Sequence, residues 1–184
     1  MPFDPTLYGP AVAKVLALGD NGNQLLPLVS GPCTNEEART LLAAAEPKEF
    51  FPNVDEPEAP MAGLWLYFCC FEEAHKLADY CESPEGELWH AILHRIEPDS
   101  GSAAYWFRKA GTHPTYSTLA RETVKITHRL RGAEFRTGRW DPFAFITFCE
   151  RVRLQPGSLQ ERCAMEIQRA EWQILFDYSA RVTN

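Results

Sequence analysis

The chain reads as all-α, a compact bundle of seven or eight helices. Three observations predict this. Apolar residues recur at i, i+3 and i+4 spacing through most of the chain. No run alternates apolar and polar residues over the length of a strand. Most prolines and glycines fall between the periodic stretches, where they end helices.

Taken in order, Met1 to Pro10 is extended and proline-punctuated, and Ala11 to Leu18 forms a short apolar helix ended by Gly19-Asp20-Asn21-Gly22. Gln24 to Val29 follows as a short extended run. Thr34 or Asn35 starts a second helix, with Glu36 and Glu37 in the first turn where the macrodipole favours anions, and Pro47 closes it. Lys48 to Pro60, rich in proline and acid, is a surface connection. Met61 to Cys81 reads as one long helix with Leu64, Phe68, Phe71, Ala74 and Ala78 on its core face. Gly86 to Ile96 carries Trp89, Ile92, Leu93 and Ile96, and Pro98 stops it. Asp99 or Ser100 caps a helix through Lys109, terminated by Gly111 and Pro114. Helices joined so tightly lie antiparallel, with Trp89, Trp106 and Phe107 buried between them and the Met61–Cys81 helix. Tyr116 to Arg131 turns Leu119, Val124 and Ile126 inward. Gly132 to Trp140 is a turn-rich linker. Asp141-Pro142 opens a helix through Leu154, and Leu159 to Ala180 is the last and longest. The whole of residues 1–184 is expected to be one domain, with an irregular N-terminal subregion, 1–60, packed on a helical body, 61–184.

Composition bounds the function. Hydrophobic residues at 45% supply a core, and a net charge of −7 argues against nucleic acid or an anionic membrane as partner. The most apolar run, Leu64 to Phe71, is too short to span a bilayer, and the N-terminus lacks the pattern of a signal peptide. The expected address is therefore cytoplasmic. The six cysteines, with no C-x-x-C, are expected to behave as small buried apolar groups there, and not as a zinc site.

The stretch Trp65 to Pro114 resembles an uncharacterised bacterial and fungal family. The residues that carry the likeness are Glu72 and His75, then Pro84, Gly86, Trp89, His90, His94, Arg95, Glu97 and Asp99, then Tyr105, Trp106, Phe107, Arg108, Gly111, His113 and Pro114. Ser102 departs from the asparagine of that pattern. The resemblance implies a helical fold and carries no activity with it. A looser similarity is to tetratricopeptide-type helical hairpins, with Ala91, Ala103, Phe107 and Ala110 on the small and aromatic positions. There is no second copy, so the hairpin belongs in a compact bundle and not a solenoid.

His90, His94 and Glu97 share one stripe of a helix, and a histidine pair at i, i+4 with a nearby carboxylate is a competent metal set. His75 falls on the apolar side of its own helix and needs a buried polar partner or a ligand. His113 is the weaker candidate to complete the shell. Against metal binding stands the commoner use of buried histidine, donating to a carboxylate such as Glu72, Glu97 or Asp99. Histidines so paired would titrate upward. The pairs Glu72/His75 and Glu87/His90 invite a di-iron reading, but they fall on consecutive helices, unlike ferritin-type sites. Tyr105 and Arg108 share a face at i, i+3. Exposed, they would bind an anion; buried, they would satisfy Glu97 or Asp99, and the buried use is expected. Nucleophile patterns, phosphate loops and the Glu of H-E-x-x-H are absent. The chain is thus expected to be a binding or interaction module with a histidine-lined groove for a protein or small molecule. The candidate site is His75, His90, His94, Glu97, Tyr105, Arg108 and His113. The alternative is a metal-dependent enzyme using His90, His94 and Glu97; no divalent metal is expected on the first reading.

Overall fold

The computed structural model describes residues 3–135 and 138–181. Met1, Pro2, two residues of the expected 132–140 linker (Arg136 and Thr137) and residues 182–184 lie outside the described residues. The architecture is all-α. Ten α-helices follow one another in the described residues: α1 Pro10–Ala17, α2 Glu36–Ala43, α3 Pro47–Phe50, α4 Glu58–Tyr67, α5 Phe71–Ala78, α6 Pro84–Ile96, α7 Ser100–Ala110, α8 Thr115–Arg129, α9 Pro142–Val152 and α10 Leu159–Ser179.

Local chemistry sets most of their starts. Asn35, Ser83, Asp99, Asp141 and Ser158 each accept a backbone N–H of the first turn of the helix that follows, replacing the intrahelical bond these donors lack. Gly111, at φ +69°, ends α7. The α6–α7 pair packs closely as expected, with Ala91 and Ala103 fully buried.

Two of the expected elements differ. Met61–Cys81 is not one helix. The chain breaks at Phe68–Cys70, where Cys69 adopts φ +59° with neither glycine nor proline to announce it. Long-range contacts override helical propensity there. The Phe68 carbonyl accepts the backbone N–H of Thr34 at 2.8 Å and its hydroxyl at 3.0 Å, and Cys70 is joined to Cys33 by a disulfide. That pairing also departs from the expectation of six free thiols; Cys69, Cys81, Cys149 and Cys163 are free and buried. The second difference is in residues 3–60, which are more helical than expected. Pro47 opens α3 rather than merely closing α2, and Pro60 sits in the first turn of α4, where its missing N–H would have had no helical partner anyway. In α8 the inward face runs through Thr115, Leu119, Thr123 and Ile126, and Val124 is exposed.

Two apolar clusters fill the interior. One gathers α1, α2, α4, α5 and α6 around Trp89 and the second half of α10. The other gathers α8, α9, the first half of α10, and Ala133, Phe135 and Trp140 of the linker. Gly63 lets α4 approach α10 and α6. A Cβ there would lie 2.7 Å from the Trp89 ring, and its carbonyl accepts Trp172 Nε1 at 2.8 Å.

At the seam of the clusters lies Arg95 of α6, 2% exposed. Its guanidinium grips both carboxylate oxygens of Glu171 on α10 and donates to Gln168 Oε1 at 3.2 Å. It also faces the rings of Phe145 at 4.6 Å and Phe107 at 5.9 Å. Gln168 in turn donates to the carbonyls of Leu26 and Pro27 at 3.2 and 2.9 Å, tying down the segment after α1. Burial disfavours the charged form of Arg95, but the Glu171 carboxylate outweighs it and holds the guanidinium pKa above its ordinary value. Removing one partner strands the other charge in an apolar seam. Arg95→Met should therefore cost about 3–5 kcal/mol in urea denaturation, and adding Glu171→Leu should recover most of that loss.

Candidate metal site

The capped start of α6 and its apolar face, buried through Leu88, Trp89, Ala91 and Ile92, fix where its remaining side chains point. His90 and His94, one turn apart, face α5, where the break at Cys69 has set His75 opposite them. One ring nitrogen of each of His75, His90 and His94 lies within 4.8 Å of those of the other two. The rings stack closely: His90 on His94 at 5.0 Å with 9° between planes, and His75 against them at 5.1 and 4.9 Å. His90 is 4% exposed, while the His75 and His94 side chains keep about a fifth of their surface. The trio is thus a buried floor with an open rim.

Carboxylates mark that rim. Glu97 Oε2 accepts from His75 Nε2 at 2.8 Å. Asp79 lies 3.6 Å from His90 Nε2, and Glu97 and Asp99 each lie 3.7 Å from His94 Nδ1, too far for hydrogen bonds. His90 Nδ1 and His94 Nδ1 are buried and make no hydrogen bond. Trp106 of α7 stacks on His90 at 4.0 Å, and Lys109, which pairs with Glu87 at 3.0 Å, lies 4.6 Å from the indole centre. Burial is the first cause that lowers the His90 pKa, to about 4, and repulsion from His75 and His94 adds to it against the opposing pull of Asp79. The His94 pKa is lowered by burial and by His75, against the pull of Glu97, Asp99 and Asp79.

The expected site residues therefore separate. His75, His90, His94 and Glu97 come together, but Glu97, expected as the third metal ligand, is the hydrogen-bond partner of His75, and His75 takes the third place in the cluster. Glu72 is exposed and does not serve His75. His113 lies elsewhere: both ring nitrogens are engaged, Nδ1 with Thr115 Oγ1 at 2.7 Å and Nε2 with Glu85 at 3.0 Å, and it packs on Tyr178. That contact holds the Glu85 carboxyl below its usual range. Tyr105 and Arg108, expected to be buried, are exposed, with Arg108 over the Phe143 ring at 6.0 Å. The buried arginine that serves a carboxylate is Arg95. Trp106, expected in the core, is only partly buried because its ring face is given to His90. His90 and His94, which make no hydrogen bond to a carboxylate, titrate downward, because burial and repulsion from the neighbouring imidazoles outweigh the rim carboxylates.

Compared with known proteins, the chain matches no family model, no curated protein and no solved structure.

The lowered pKa values carry a sign. A histidine whose folded pKa lies below the unfolded value of about 6.5 binds fewer protons in the native state, so acid favours unfolding. The stability of metal-free protein should fall as pH drops from about 6.5 towards 4, by up to about 1.4 kcal/mol per pH unit from His90, with His94 acting in the same direction. Urea melts at stepped pH check this; in His90→Gln the slope should be shallower.

Proposed function

We propose that this protein binds a single divalent transition-metal ion between α5 and α6, with His75, His90 and His94 as ligands. The observation that carries this reading is the convergence of three imidazoles from two helices, with buried, unbonded ring nitrogens on His90 and His94. Imidazole suits zinc, copper, nickel and ferrous ions. A tetrahedral site with metal–nitrogen bonds of about 2.0–2.1 Å sets ligand nitrogens ~3.4 Å apart, so small side-chain rotations close this trio on an ion. The Glu97 contact supports the same reading. A carboxylate that accepts a hydrogen bond from Nε2–H of His75 leaves Nδ1 with the lone pair and steadies the ring, as carboxylates behind metal-bound histidines do. Depressed pKa values keep His90 and His94 neutral near pH 7, the state that binds metal.

This ranks the second reading of the sequence, metal binding, above a metal-free binding module, and it stops short of naming a reaction. Three protein ligands and a partly open rim leave a coordination position for an exogenous group, the arrangement of catalytic rather than closed structural zinc sites.

Equilibrium dialysis against Zn²⁺ at neutral pH should give one ion per chain. His75→Ala, His90→Ala and His94→Ala should each abolish stoichiometric binding while the helical circular dichroism persists. Glu97→Gln should weaken binding about 10–100-fold. Because Trp106 stacks on His90, loading with Cu²⁺ or Ni²⁺ should quench fluorescence, and Trp106→Phe should remove much of that response. Absence of stoichiometric binding, or binding untouched by His90→Ala, would reduce the trio to a structural polar cluster.

A further inference from the structure

A second site lies on a different part of the molecule. α8, α10 and the N-terminal segment, whose 3-10 turn spans Pro5–Tyr8, line a trough of about 1150 Å³. None of the trio lines it. Its apolar surface comes from Leu7, Ile126, Ala170, Ile174 and Tyr178. Leu7 is 63% exposed, a large apolar side chain left uncovered at the edge.

Charge distinguishes this trough from a bare apolar groove. The chain carries −7 overall, yet the trough is lined by Lys125, Arg129, Arg169 and Arg181 against Asp4, Glu122 and Asp177. Three of the four cations already have carboxylate partners: Lys125 with Glu122 at 2.6 Å, Arg129 with Glu166, and Arg181 with Asp177 at 2.6 Å. Arg169 has none among the described residues. It donates from Nη1 to the Asn23 carbonyl at 3.3 Å, and its Nε is buried without a hydrogen bond. A guanidinium held on a cavity wall by a backbone carbonyl, with no carboxylate to neutralise it, is a seat for an anionic headgroup.

We propose that this trough binds a small organic anion with an apolar body, an aliphatic carboxylate, its headgroup on Arg169 and its body along Ala170, Ile174 and Leu7. The trough is large enough for one small molecule, and it combines apolar walls with a few polar groups, as small-molecule pockets do. The single unpaired cation sets the sign of the headgroup, and the apolar lining requires a body that water rejects.

The test uses metal-free full-length protein and dodecanoate below its micelle-forming concentration, with dodecanol and dodecyltrimethylammonium as neutral and cationic probes, followed by calorimetry. Dodecanoate should bind saturably, one per chain, at least about tenfold tighter than either control. Arg169→Gln should weaken dodecanoate by about tenfold or more and leave dodecanol unchanged. Ile174→Glu should weaken both, and His75→Ala neither, which separates this site from the metal proposal. The ranking of the three probes on unaltered protein needs no variant and stands even where one fails to fold. Absence of saturable dodecanoate binding, equal affinity for dodecanol, or undiminished affinity in folded Arg169→Gln would each overturn the proposal.

Discussion

The pair between Arg95 and Glu171 is the constraint on which the rest of the molecule depends. Burying a guanidinium and a carboxylate costs several kcal/mol per ion unless geometry and further hydrogen bonds offset it. Here the carboxylate is gripped through both oxygens, Gln168 takes another N–H, and two aromatic rings flank the cation. These contacts tie Arg95 of α6 directly to Glu171 and Gln168 of α10. The pair therefore sets the rotation of α6 about its axis, and neighbouring residues on a helix point about 100° apart. With Arg95 directed into the seam, His94 and His90 are turned towards α5. The contact is as much a specification of the histidine face as a source of stability.

A second constraint brings the third histidine. Continued as one helix, the chain from Met61 would carry His75 along the α4 axis. The turn at Cys69, held by Thr34 on the Phe68 carbonyl and by the Cys33–Cys70 bond, starts α5 in a new direction. Three imidazoles then share a small volume shielded by Trp106. The same desolvation that lowers the pKa values of His90 and His94 leaves their Nδ1 atoms without a hydrogen bond, while Glu97, Asp79 and Asp99 stay at the rim, where carboxylates attract a cation.

The features legible in the sequence were those with local causes. The α6–α7 hairpin follows from Ser83, Asp99 and Gly111, all within a turn of the ends they define, and the apolar face of α10 follows from its spacing. His90 and His94 shared a stripe because they lie on one helix. What the sequence did not announce depends on distant partners. The Arg95–Glu171 pair spans 76 residues, and nothing near Arg95 distinguishes it from the exposed Arg108. The turn at Cys69 interrupts a run whose composition is helical, so the third histidine looked like part of a long core face. Thr123 displaces Val124 from the inner face of α8 because that helix's phase is set by Leu119 and Ile126, not by hydrophobicity at one position.

The central claim is that two helices, held by a distant ion pair and a local break, present three imidazoles to one ion. X-ray absorption spectroscopy of the cobalt(II)-loaded protein tests it most directly, because imidazole rings give a characteristic outer-shell scattering that can be counted. A first shell of nitrogen and oxygen with three imidazoles is the predicted result. One imidazole or none, or the spectrum of a hydrated ion, would contradict the account.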